Sequence, residues 1–494
     1  MKVLILGVCL FVFQATGFGQ QLVMRGDHAD PSVVKIGDSY WASATTSNWF
    51  PAYPLLQSKD LVNWKSRGYI FNQLPAWADY YFWAPEITYD GGKVYVYYAA
   101  HKKGGNLCLG IASADRPEGP YKDHGPIMCE TDGSIDAFPM RDETGKLYII
   151  WKEDGNSVNK ATPIWAQAMN EERTALTGEK KELFRNDIGW EANLVEGVSM
   201  IKQGEYYYAF YAAAGCCGRE CTYQTGVARS KTLLGPWEKS SKNPILTHDD
   251  EWKCPGHGTP IQKDGKWYFL YHAYSKSTDV YTGREGMLIE FRFTPDGWIE
   301  FVKEPAKADV PLTSMSDNFR GRKKSDDWQW SVFQDVQAEQ RGGELALSAM
   351  PTLSGAFLGT KTKSGHYTAT VKLNTKRTTS EAGLGLIGDD QNTLAVFYNG
   401  GTLSIRQQKA GIDTVLSQHS IGSSRRLYLQ AAVTNGKDVH FLYSTNGRDF
   451  KPLNTGALNG SYLPPWDRSI RVGLLSRGDS TQSASFDKFT LINK

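Results

Sequence analysis

The 494-residue chain lacks a charge bias: 55 Lys and Arg stand against 53 Asp and Glu. So balanced a composition gives no electrostatic footing for a nucleic-acid or membrane-surface partner. Beyond its first twenty residues the chain also lacks an apolar run long enough to cross a bilayer. Cysteine is sparse, seven in all, and Cys216, Cys217 and Cys221 follow no zinc-ligand spacing. Nothing points to an organic cofactor. Aromatic residues, in contrast, are plentiful, with 15 Trp and 25 Tyr. They can stack on sugar faces, although β-sheet cores account for most of them.

Met1-Lys2, an apolar run from Val3 to Phe13 and small residues at Ala15, Gly17 and Gly19 form a secretory signal pattern over residues 1–19. Cleavage is expected near Gly19-Gln20, giving an exported protein, periplasmic or extracellular. Leu6 and Cys9 hint at a lipoprotein, but Val8 is bulky for that cleavage and the apolar run continues past Cys9. Six cysteines remain, an even number suited to disulfides in an oxidising compartment. Cys108 and Cys129 flank one predicted hairpin and form a plausible pair. The Gly215-Cys216-Cys217-Gly218 loop is expected to be stiffened by a disulfide near a pocket rim.

A glycine turn followed by an aromatic strand recurs five times, with Tyr40, Tyr95, Tyr148, Tyr207 and Tyr268 spaced by 55, 53, 59 and 61 residues. Glycine beside Asp or Lys supplies the positive φ of a hairpin tip. Further strand ends follow each hairpin, for example at Ala112-Ser113-Ala114-Asp115 and Ala228-Arg229-Ser230-Lys231. Four strands per repeat, five times over, predict an all-β, five-bladed propeller across residues 20–301. Hairpins in a sandwich are the alternative. About ten residues before each tyrosine stand Asp30, Glu86, Asp136, Glu196 and His257. This common phase places one ionisable side chain per blade on the strand lining the central channel.

After Phe301 a stretch rich in Lys, Pro and Ala reads as a linker, residues 302–316. Short alternating strands joined by Asn399-Gly400, Asn435-Gly436 and Asn446-Gly447 then predict a β-sandwich over 317–494, of jelly-roll or concanavalin-like type. It carries no ordered set of acids or histidines. Trp328 and Trp330 could touch sugar, but burial in the sandwich or at the domain interface accounts for them better.

Cleaving a glycosidic bond takes a proton donor for the leaving oxygen and a base or nucleophile on the other side of the sugar. Glu196 stands between Val195 and Gly197-Val198, poor solvating company, so burial and a nearby carboxylate would favour its protonated form. It is the candidate general acid. Asp30, followed by Pro31, is the candidate base. Asp136 would orient Glu196 and raise its proton affinity.

Ala29-Asp30-Pro31-Ser32-Val33, Trp83-Ala84-Pro85-Glu86, Ser134-Ile135-Asp136-Ala137-Phe138, Val195-Glu196-Gly197 and Gly256-His257-Gly258 occur in the order of glycoside hydrolase family 43. The chain resembles that family over about residues 25–301. The resemblance implies an inverting mechanism with Asp30 as base, Asp136 as pKa modulator and Glu196 as acid. It also implies action on arabinose- or xylose-containing plant polysaccharides or oligosaccharides, as an α-L-arabinofuranosidase or β-xylosidase. His257 is similar to a channel histidine that helps hold calcium in many members, so a structural Ca2+ in the channel is implied. Arg284 matches an arginine reaching the sugar subsite. Trp83, Phe50, Phe138 and Trp165, with Glu86, are candidate substrate-binding residues. The region from Asp317 through Trp330 resembles the concanavalin-like sandwich attached to many such enzymes.

Three rivals stay open. A retaining fructan-type hydrolase would show Asn-Asp-Pro and Arg-Asp-Pro blocks, which are absent here. A galactan- or arabinan-directed hydrolase would use the same fold. A sugar-binding propeller without catalysis would need aromatic platforms but not three carboxylates.

Overall fold

The computed structural model describes residues 19–302, 308–321 and 323–494. The signal-peptide expectation therefore lies, but for Gly19, outside the described residues. No described helix is long and apolar enough to span a membrane.

Four four-stranded antiparallel sheets and one five-stranded sheet make up the first domain. The innermost strands are Ser32–Ile36, Ala78–Asp90, Ser134–Arg141, Val195–Gln203 and Trp252–Lys263. Each packs against the next, and the fifth packs against the first, so the ring is closed. The tyrosines of the repeat fall on the second strand of each sheet, such as Lys93–Lys102 and Tyr206–Ala213. Asp90 and Lys93 are paired across Gly91 and Gly92, whose φ angles of +56° and +82° only glycine adopts without strain. The last sheet draws its outer strand from the other end of the domain. Gln21–Met24 pairs antiparallel with Glu285–Phe293, which fastens the two ends of the domain together.

Packing between the sheets is mainly apolar and aromatic. Phe210 stacks on Phe269 at 4.9 Å, and Phe291 and Phe301 close around them. Such ring contacts bury large areas and carry much of the hydrophobic stabilisation between wedge-shaped neighbours.

The second domain packs a nine-stranded sheet on a six-stranded one. Inward residues alternate along each strand, as in Tyr367–Leu373, and meet in a core that includes Leu384, Leu429, Phe441 and Phe489. Trp328 is buried there, 5.0 Å from the Phe489 ring. Trp330 sits on the boundary: Trp330–Ser331 pairs antiparallel with Trp49–Phe50 of the propeller, and its ring meets Phe50 edge-on at 5.5 Å. The stretch before the sandwich runs along the first strand, with Val310 N donating to Leu22 O at 3.2 Å. Met315–Asp317 is already a strand of the nine-stranded sheet. The two domains are thus stitched by backbone hydrogen bonds as well as side chains.

Candidate active site

The innermost strands share a local irregularity. Register shifts occur between Trp83 and Glu86, Ile135 and Phe138, Glu196 and Ser199, and Gly256 and Gly258. Backbone φ is positive at Ala84, Asp136, Gly197 and His257 within these shifts, and at Asp30 just before the first inner strand. β-Bulges of this kind re-aim side chains at the rim of a sheet. At Asp30, Asp136 and His257 the left-handed backbone is strained for a non-glycine residue, and that strain persists only where the surroundings hold it. Gly197 could not be replaced cheaply, since an added Cβ would lie 2.8 Å from Cγ of His257.

The result is a cavity of about 430 Å³ that brings together Asp30, Asp136, Glu196, His257, Trp83 and Arg284. Asp30 is held most tightly. Thr45 Oγ1 donates to its Oδ2 at 2.7 Å, and Arg284 Nη1 donates to Oδ1 at 3.0 Å. Its amide donates to His272 Nδ1 at 3.0 Å, which leaves the proton of that neutral, fully buried ring on Nε2. Burial opposes the charge on Asp30, but Arg284 and the Thr45 hydrogen bond override it and lower the carboxyl to about 2. Asp30 is therefore an anion throughout the useful pH range.

Asp136 behaves in the opposite way. Burial, aided by the charge of Glu196, pushes it up to about 6. Its Oδ2 accepts the Gly197 amide at 2.8 Å, so it fixes the backbone next to Glu196. His257 Nδ1 lies 3.6 Å from Asp30 Oδ1 and 3.9 Å from Asp136 Oδ1.

Around Glu196 the surroundings differ from the sequence expectation. Its chain neighbours are apolar, but its carboxylate is not poorly solvated. Lys152 Nζ donates to Oε2 at 2.6 Å and Tyr223 OH to Oε1 at 2.9 Å. Lys152 is almost wholly buried and also donates to Asp154 at 2.8 Å, so one ammonium serves two carboxylates. Neither Lys152 nor Tyr223 stood out in the sequence, because both come from other strands and loops with no motif of their own.

Trp83 forms one wall, stacked on Tyr81 at 4.3 Å. Opposite chain segments complete it: Trp466 of the sandwich meets Trp83 edge-on at 5.8 Å, and Asp467 lies beside it. The second domain thus contributes to the cavity, which its lack of an ordered acid set had not suggested. The other aromatic candidates are elsewhere. Phe50 packs on Trp330, and Phe138 lies in the core with Tyr148 and Val198. Trp165 bonds Glu153 at 2.8 Å under the Lys180 ammonium. Glu86 is buried off the cavity wall, where Thr259 Oγ1 donates to it at 3.3 Å, and burial pushes its carboxyl up to about 8.

All six described cysteines are paired: Cys108 with Cys129, Cys216 with Cys217, and Cys221 with Cys254. The metal alternative for the cysteine loop falls with these pairings. Calcium takes six to eight oxygen ligands. Among the described residues, no group of three or more His, Cys, Asp or Glu side chains is arranged to hold a metal. The side chains around His257 form no cage for that ion.

A closed five-bladed propeller with carboxylates converging on one cavity, clasped by a concanavalin-like sandwich, has close counterparts among known proteins. The sequence model described as Glycosyl hydrolases family 43 matches residues 20–299, and the one described as Beta xylosidase C-terminal Concanavalin A-like domain matches 316–490. The chain belongs to glycosyl hydrolases family 43. It is 30% identical over 271 residues to a xylan 1,3-beta-xylosidase from Vibrio sp, a match covering 51% of this chain and 49% of that protein, about half the length of each. It is 25% identical over 417 residues to the non-reducing end alpha-L-arabinofuranosidase BoGH43B of Bacteroides ovatus, covering 75% of this chain and 74% of that one. The fold matches a xylan beta-1,4-xylosidase structure from Bacillus halodurans with a TM-score of 0.80 at 22% identity, over 96% of this chain and 99% of the other.

Proposed function

We propose that the protein is an inverting glycoside hydrolase that removes terminal arabinofuranosyl or xylosyl units from plant cell-wall polysaccharides or oligosaccharides. One observation carries this reading: Asp30, held as an anion by Arg284, and Glu196 line the same cavity. Asp30 takes a proton from the attacking water, and Glu196 delivers one to the leaving oxygen. Asp136 supports the second task. Raised to about 6, it itself keeps a proton beside Glu196 in mildly acidic solution. Its acceptance of the Gly197 amide keeps the Glu196 side chain aimed.

Relatives named as xylosidases and arabinofuranosidases support the sugar class. Trp466 and Asp467 bring the appended sandwich into the cavity wall, which supports exo action. Three disulfides support an exported protein. A structural calcium at His257 would need water or backbone oxygens for its other ligands. A melting temperature that falls with EDTA and recovers with calcium supports that ion, and an unchanged one removes it.

The test compares wild type with Glu196→Gln on phenyl α-L-arabinofuranoside and phenyl β-D-xyloside, whose poor leaving group needs a proton, with product anomers followed by NMR. Turnover with inversion, lost in the variant, is expected. Equal turnover by both would remove Glu196 as the acid. Retention would make the mechanism a double displacement. Oligosaccharide binding without turnover on any substrate would point to a binding propeller.

A further inference from the structure

The three disulfides are not equivalent in position. Cys108–Cys129 and Cys221–Cys254 lie off the cavity, whereas Cys216–Cys217, between adjacent residues, forms part of its wall together with Leu194, Tyr223 and Glu196. The loop that carries it is held by four contacts. Thr222 N donates to Gly215 O at 2.9 Å, closing the loop on itself. Cys221 is bonded to Cys254, on the strand that bears His257. Arg219 Nη2 donates to Ser461 O of the sandwich at 3.0 Å, a few residues before Trp466. Gly218 N donates to the Tyr274 hydroxyl at 3.2 Å.

A loop anchored so thoroughly presents its disulfide as a fixed surface. That surface has no hydrogen-bond donor, is polarisable and is apolar. Beside it, Glu196 is met by polar groups of Lys152 and Tyr223, with Asp154 next to Lys152, while Leu194 extends the apolar part of the wall. A pyranose or furanose ring has matching halves: hydroxyls that need polar partners and a C–H face that does not. We propose that the Cys216–Cys217 disulfide is the platform for the C–H face of the sugar bound next to Glu196, and that it sets affinity and ring selectivity. This rests on the glycosidase reading above. It assigns the binding task to two residues that carry no proton chemistry.

The variant Cys216→Ala/Cys217→Ala tests it, with Cys108→Ala/Cys129→Ala, remote from this loop, as the comparison. For the first, KM on the better aryl glycoside should rise about tenfold, the loss expected when one apolar ring contact disappears, while kcat stays within about twofold. The second pair lies off the cavity, so it should lower the melting temperature more than it raises KM. An unchanged KM in the first variant overturns the proposal, as does an equal rise in KM from both. If the first variant does not fold, wild type is reduced with a phosphine, the opened pair is mapped by mass, and KM is compared before reduction and after reoxidation. A reversible rise that follows opening of Cys216–Cys217 supports the proposal, and no rise overturns it. Calorimetric binding of xylose and arabinose to wild type and variant separates this idea from the catalytic one. If wild type turns nothing over, a loss of sugar binding in the variant still supports the platform, and equal binding overturns it.

Discussion

Trp83 Nε1, on an inner strand of the propeller, donates to Asp467 Oδ2 of the sandwich at 3.2 Å. The same carboxylate accepts the Ser47 hydroxyl and the Arg468 guanidinium, and its main-chain carbonyl accepts Arg284 Nη2 at 3.1 Å. Arg284 in turn holds Asp30. The second domain therefore reaches both the sugar-facing wall and the proposed base through one buried residue.

Asp467→Ala should consequently impair catalysis and stability together. Leaving Trp83, Ser47 and Arg468 without their acceptor costs about 1–3 kcal/mol. Loosening of Trp83 should lower kcat/KM by about tenfold, while Arg284 keeps its main-chain acceptor. Denaturant unfolding and steady-state kinetics on the same preparation check both. Full activity in a destabilised variant would show that the contact only joins the domains.

Acid and base can be told apart by leaving group. Glu196→Gln should lose about 10²–10⁴-fold on xylo- or arabino-oligosaccharides but far less on a dinitrophenyl glycoside, whose leaving group needs no proton. Asp30→Asn should lose a similar factor on both, because the water still needs a base. Identical sensitivity of the two variants to leaving group would break the assignment.

Lys152 joins Glu196 to Asp154, and removing it takes a buried positive charge from beside the proposed acid. In Lys152→Met, kcat/KM should drop by about a hundredfold, and the alkaline limb of its pH profile should move to higher pH, since the proton on the acid is then held more tightly. A loss of rate with the limb unmoved would assign Lys152 to positioning alone.

Glu86 gives a prediction about stability. Burial raises its carboxyl from 4.5 to about 8, so the folded state binds this proton more tightly than the unfolded chain. Its contribution is fully present below 4.5, declines as pH rises through this window, and is gone above about 8. Glu86→Gln cannot ionise. Relative to wild type it should gain stability between pH 5 and pH 8, by up to about 4 kcal/mol. Chemical denaturation at the two pH values measures the gain, and parallel curves would mean that Glu86 is already solvated or paired.

Much of this architecture was legible from the chain alone. The glycine-aromatic repeat is a local signal, because hairpin tips need positive φ and strands need apolar alternation. It located the five blades, and the common phase put Asp30, Asp136, Glu196 and His257 on the strands that line one cavity. Among the aromatic candidates Trp83 lines the cavity, whereas Phe50, Phe138 and Trp165 lie off it, Phe138 for a local reason. Phe138 stands two residues from Asp136 and would share its face in a regular strand. The register shift between Ile135 and Phe138 turns it into the core instead.

What tertiary structure alone decided is the company each acid keeps. Lys152 and Tyr223 reach Glu196 from 44 and 27 residues away, Arg284 reaches Asp30 from 254, and Asp467 reaches Trp83 from 384. The apolar neighbours of Glu196 in the chain suggested a dry carboxyl, yet folding gave it an ammonium and a phenol. Sequence spacing determines which face of a strand a residue occupies, since that depends on backbone geometry a few bonds long. Charge state and binding shape depend on distances between groups, and closing the ring and docking the sandwich sets those distances.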